Sequence, residues 1–214
     1  MRLLPFLLVL AAWPLRAQEA AAPDPLVAQH RLAAILREAT ADYDRGDYQG
    51  AVAKLDTVDG PAAGDLGVLN LRAAALTKAG DYGQAAEIFA AIVRANPAYF
   101  PAAFNAGEVQ FLSGDREGAL ETFRRLRQRD PGNELLRFKV FLCQHVLGRR
   151  EEAAKTASAM HSAGSTPAWY YAQALLARSA GDEGRARKNL RAARSLYGED
   201  GCRLFDESVA SAGP

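Results

Sequence analysis

The sequence predicts an all-α fold: a superhelical stack of about five helix pairs, closed by a short C-terminal helix. Three observations carry this expectation. Alanine is abundant while β-branched and aromatic residues are sparse, and alanine has no side-chain entropy to lose in a helix. A glycine-centred turn recurs at Gly46, Gly80, Gly114, Gly148 and Gly181, with a step of about 34 residues that shortens slightly at the last. In phase with each turn stands an alanine (Ala51, Ala85, Ala119, Ala153, Ala186) and, one helical turn later, a mostly large apolar residue (Leu55, Phe89, Phe123, Ala157, Leu190).

The first element is an address. Met1-Arg2 supplies positive charge, an apolar run extends from Leu3 to about Trp13, and Pro14-Leu15-Arg16-Ala17-Gln18 follows. This order is that of a secretory signal over residues 1–17, with a cut after Ala17. The run is too short to span a bilayer comfortably, and no cysteine stands at the cut to take a lipid. A hydrophobic N-terminus that stays on the chain is the alternative. The mature chain is expected in a bacterial periplasm or outside the cell, with no stable membrane insertion once the signal is removed. Residues 18–31 read as a linker leading into the first helix, with Pro23 and Pro25 holding the chain extended.

The helix pairs occupy residues 32–197, and each recurring position has a mechanical reason. Glycine closes the first helix of a pair because it adopts the left-handed conformation without penalty. The aspartate after it caps the second helix. The small alanine lets the two helices approach closely, and the large residue one turn on fills the space beside it. Pro97 and Pro131 terminate second helices, and Pro61 and Pro167 do similar work slightly out of register. In the fourth pair the sizes invert. The small site held elsewhere by Ala39, Ala73, Gly107 and Ala174 is Phe141, and the large site is Ala157. Opposed changes within one pair read as a compensated swap that preserves core volume. Residues 198–214 form the cap and tail, where Gly198 to Gly201 break the pattern and Leu204, Phe205 and Val209 form one face of a terminal helix.

Five such turns in phase with their alanine and apolar partners resemble the tetratricopeptide-repeat (TPR) family, exported bacterial type, over nearly the whole mature chain. The third repeat fits best, from Pro101 through Gly107, Gly114-Asp115, Ala119 and Phe123 to Asp130-Pro131. The resemblance implies an α-α superhelix whose first helices line a concave groove that binds extended peptides or partner helices. By phase, that groove receives Leu36, Thr40 and Tyr43 from the first repeat, with partner-binding candidates Asn70, Phe104, Asn105, Phe111, Phe138, Lys139, Leu142 and Tyr171 in later ones. An aromatic cluster of this size marks an interaction surface if exposed, and packing between repeats or under the terminal helix if not. Asn105 and Lys139 match part of the set with which some TPR domains grip a C-terminal carboxylate, but the set is incomplete.

The remaining chemistry excludes more than it suggests. Lys and Arg total 26 against 25 Asp and Glu, so nothing in the total charge favours nucleic acid. Arginine dominates from Gly114 onward, at Arg124, Arg125, Arg127 and Arg129 and again at Arg185 to Arg194. That run reads as the solvated outer face of second helices, or as a surface for an anionic partner. His30, His145 and His161 lack metal-ligand spacing, and no metal or other cofactor is expected. Cys143 and Cys202 are too few for a disulfide scaffold, and a single bridge or two buried thiols both remain open. No nucleophile–base pair or phosphate loop is visible, so no catalytic role is expected. The functions that remain are a scaffold or adaptor of the cell envelope that binds a protein or peptide, and a chaperone-like module for exported clients.

Overall fold

A computed structural model describes residues 24–213; the expected signal, and the linker as far as Pro23, lie outside the described residues. The described residues form ten α-helices and no strand. Five pairs follow in order: α1 (Pro25–Asp44) with α2 (Tyr48–Leu55), α3 (Leu66–Ala79) with α4 (Tyr82–Ala95), and α5 (Phe100–Leu112) with α6 (Arg116–Arg129). Then come α7 (Glu134–Val146) with α8 (Arg150–Ser158), and α9 (Ala168–Ser179) with α10 (Glu183–Ser211). A short 3-10 turn, Gly60–Gly64, joins the first two pairs.

The turns work as their chemistry requires. Gly46, Gly80, Gly114, Gly148 and Gly181 all have positive φ, between 71° and 94°. Asp47, Asp81, Asp115 and Asp182 each accept a hydrogen bond from a backbone N–H in the first turn of the following helix. Such a cap is worth about 1 kcal/mol. The fourth repeat has Arg149 at this position, which gives no cap, and its second helix is short.

The phased small residues Ala39, Ala51, Ala73, Ala85, Ala119, Ala153 and Ala186 are all buried, as are Phe89, Ile92, Phe123 and Leu126 beside them. In the third repeat the reason is direct. A Cβ added to Gly107 would stand 2.8 Å from the ring of Phe123. In the fourth, Phe141 and Ala157 are both buried in the same apolar cluster, in keeping with the exchange of sizes.

Three prolines and the terminal segment differ in detail from expectation. Pro25 opens α1, and Asp24 caps it by accepting from the N–H of Leu26. Proline suits the first position of a helix, where its missing N–H is not needed. Pro61 lies in the 3-10 turn, and Pro167 immediately precedes α9 instead of closing α8. The break after the fifth pair is confined to Gly198, with φ 71° and ψ 171° inside α10. Helix resumes at once, with Cys202, Phe205 and Ser208 buried, whereas Leu204 is 40% exposed and Val209 only partly covered. The buried face of this segment is therefore rotated from the one the sequence suggested.

First helices of successive pairs touch each other, α1 with α3, α3 with α5 and α7 with α9; second helices show no such extensive contact. The first helices therefore lie on the inner, concave side. No described helix is long and apolar enough to cross a membrane.

Candidate functional site: the concave face

The concave face has two parts. Over repeats three to five it is occupied by the chain itself. After Gly198, α10 turns back and lays its buried face on α7 and α9. The ring of Phe205 lies 4.9 Å from that of Phe138 and 5.4 Å from that of Tyr171. Beside it, the Tyr171 hydroxyl donates to Asp206 at 2.7 Å. Arg194, in the first half of α10, reaches the same carboxylate at 3.1 Å. The Lys139 ammonium donates to the Ser208 hydroxyl and to Glu108, each at 2.6 Å. Farther along, Lys78 of α3 pairs with Glu207 at 2.7 Å.

Electrostatics follow from this packing. Burial, with the Asp206 carboxylate next to it, pushes the Tyr171 phenol far above its ordinary value. Burial pulls Lys78 down, but its bond to Glu207 outweighs that and leaves its pKa raised. Cys143 and Cys202 are free and buried, which resolves the open question of a bridge in favour of two thiols. Burial pushes Cys143 up to about 12 and raises Cys202 as well.

Over repeats one to three the concave face is open. A cavity of about 700 Å³ lies between α1, α3, α5 and the far end of α10. Tyr43, Tyr48 and Tyr82 line it with Lys78, Asn105 and Glu108. Tyr43 and Tyr48 stand edge to face, 5.4 Å apart. Glu108 places one carboxylate oxygen on Lys139; the other is buried without a hydrogen-bond partner.

The structure divides the residues singled out in the sequence. Asn70 and Asn105 are neighbours, with an amide hydrogen bond of 3.3 Å. Phe104 is half-buried at the edge of the cavity, between Phe100 and Phe123, with the Lys139 ammonium 5.9 Å above its ring. Phe138, Lys139, Leu142 and Tyr171 are buried, and Phe138, Lys139 and Tyr171 touch the terminal segment. Phe111 is buried in the apolar core and carries Arg116 over its ring at 5.4 Å. Of the aromatic residues singled out, Phe138 and Tyr171 meet, 6.4 Å apart and covered by Phe205, whereas Phe104 and Phe111 pack elsewhere. Tyr48 and Tyr82 escaped notice because they follow the Gly-Asp turn. Their signal was present: only the first two turns continue with tyrosine.

The convex side is less distinctive. A cleft of about 640 Å³ is lined by Arg124, Arg127, Gln144, Glu152 and Lys155. Its charges are partly matched, with Arg124 on Glu152 at 2.5 Å; nearby, Arg149 sits on Glu117 at 2.7 Å. His145 stacks on Phe141 and faces Ser179 Oγ at 3.4 Å, and burial lowers its pKa. Among the described residues, no group of three His, Cys, Asp or Glu side chains is placed to hold a metal.

Residues 76–137 match a family model of the tetratricopeptide repeat. The chain is similar in structure to TTC0263, a thermophilic TPR protein in Thermus thermophilus, with a TM-score of 0.66 and 20% identity over 84% of this chain and 98% of that one. It is also similar to MamA 41-end from Desulfovibrio magneticus RS-1, with a TM-score of 0.61 and 16% identity, covering 78% of this chain and 94% of that one. MamA MSR-1 superposes with a TM-score of 0.56 and 20% identity, over 78% and 96%. No curated protein matches the chain. The repeat match and these superpositions agree with the glycine turns, the phased alanines and the inner row of first helices: the chain carries tetratricopeptide repeats and has the tetratricopeptide-repeat fold.

Proposed function

We propose that this chain is a non-enzymatic scaffold or adaptor of the cell envelope that holds a partner protein in its concave groove. The observation that carries the reading is the open cavity over repeats one to three, with three tyrosines, Asn105 and Lys78 on one surface. Tyrosine offers large contact area at low entropic cost together with a hydroxyl for orientation, which suits a protein-binding surface. Stacked repeats present such a surface in extended form. The envelope location rests on the charge and hydropathy order of residues 1–17 and on nothing else.

The experiment is affinity capture with the full chain in its native host, comparing Tyr48→Ala plus Asn105→Ala with Arg124→Glu plus Arg125→Glu, each confirmed folded by circular dichroism. The groove pair loses the captured partner, and the convex pair retains it at moderate salt. The reverse result moves the site to the convex face. N-terminal sequencing of the protein from the same host reads a start near Gln18; a protein still beginning at Met1 in the cytoplasm overturns the location.

A further inference from the structure

The segment of α10 after Gly198 is an unusual cap. A cap that only shields the last repeat needs an apolar strip against α9. This one reaches along the first helices to α7 and α3, and joins the apolar burial of Cys202 and Phe205 with polar contacts along its length. Of residues 199–211 only Cys202, Phe205 and Ser208 are buried, while Glu199, Asp200, Arg203, Leu204 and Glu207 are exposed. One deep aromatic anchor, one carboxylate and one hydroxyl define the contact, each met by a side chain of the array. A single residue joins the segment to the fifth repeat, and Gly198 has open space where a Cβ would stand.

The seat is also incompletely satisfied. Lys139 is buried and serves both Glu108 and Ser208, yet the second oxygen of Glu108 receives no donor. A buried acceptor left without a donor weakens the contact around it. The resident segment therefore does not satisfy every polar group of its seat.

We propose that the concave seat on α7 and α9 recognises an amphipathic helix with the pattern of residues 202–208: a small residue, a phenylalanine three positions on, then an aspartate, and a hydroxyl two further. Residues 199–211 are its resident occupant, and a partner helix of this pattern takes their place. Phe138 and Tyr171 hold the aromatic ring, the Tyr171 hydroxyl and Arg194 read the aspartate, and Lys139 reads the hydroxyl. This inference rests on the reading of the concave face as the partner-binding surface. It adds the chemical class of the partner and the step of exchange.

The test uses the full chain and a synthetic peptide of residues 199–213 as the probe. A tethered occupant competes at an effective concentration in the millimolar range, so the free peptide binds the intact protein poorly. Phe205→Ala loosens the resident helix, and the peptide then binds about tenfold or more tightly than to the unaltered chain. A peptide carrying Phe205→Ala does not bind. The unaltered protein gives a second measurement that needs no variant. Its Cys202 thiol reacts with a labelling reagent about tenfold or more faster than Cys143, because the terminal segment opens without global unfolding. No peptide binding to the folded variant, or equal labelling rates at the two cysteines, overturns the proposal. If the variant does not fold, the labelling rates decide. Peptide binding with partner capture indifferent to Tyr48→Ala plus Asn105→Ala sustains this inference and overturns the groove reading. Capture lost with that pair, but no peptide binding and equal labelling, does the opposite.

Discussion

Gly107 and Phe123 are fitted to each other so closely that a methyl group on the glycine would stand 2.8 Å from the ring. The contact sits where the two helices of the third repeat cross. It explains in atomic terms why a small residue and a large one recur in phase.

Gly107→Ala tests that contact against local propensity. Alanine favours helix over glycine by about 1 kcal/mol, whereas overpacking a filled core costs about 1–3 kcal/mol. The steric term is the larger, so thermal unfolding shows a lower melting temperature. An unchanged or raised melting temperature would mean that Phe123 moves aside freely.

The fourth repeat offers the inverted case. Phe141→Ala leaves a cavity and costs on the order of 3 kcal/mol. Ala157→Phe alone overpacks and also destabilises. The double variant restores the small–large arrangement that Ala73 and Phe89 hold in the second repeat and recovers much of the loss, with a coupling of about 0.5–3 kcal/mol in denaturant unfolding. Strict additivity would show that the two side chains do not share one space.

Glu134 supplies a prediction in pH. The long connection between α8 and α9 is held by its carboxylate, which accepts from the backbone N–H of Ser165 and Thr166 at 3.2 and 2.8 Å and from the Thr166 hydroxyl at 2.7 Å. Burial raises its pKa, but these donors outweigh that and leave it below its ordinary value of 4.5. A carboxyl depressed in the folded state contributes stability that is fully present above its unfolded pKa and is lost as pH falls through the folded one. Glu134→Gln therefore lowers the melting temperature at neutral pH, and the gap to the unaltered chain closes as pH drops below 4.5. A gap constant across that window would assign the effect to packing.

The open part of the groove predicts an affinity. Truncating an aromatic anchor at a binding centre costs about 2 kcal/mol or more, roughly thirtyfold in the dissociation constant. Tyr48→Ala or Tyr82→Ala weakens the captured partner by that amount in titration calorimetry. The exposed pair Arg125 and Glu121 contributes little, and its loss changes mainly the association rate.

What was legible in the sequence is what repeats. Gly46 to Gly181, their capping aspartates and the phased alanines fix helix ends and crossings locally, and the observed pairs follow them. The convergence of Phe138 and Tyr171 was legible too, since helical phase alone places them. Their cover was not. Phe205 meets them from outside the period, through a turn at Gly198 whose direction is set by tertiary contacts with α7 and α9. Lys139 illustrates the same limit. Its position on α7 followed from phase, but its partners Glu108 and Ser208 lie 31 and 69 residues away.

The ion pair between Lys78 and Glu207 spans 129 residues of chain. A stack of repeats ordinarily gains each contact from its neighbour, so it can grow unit by unit as the ribosome releases it. Here the final helical segment returns to the second unit, and every helix it touches emerges first. The array therefore leaves the ribosome with its inner face uncovered, and gains its longest-range contacts only when residues 199–211 arrive.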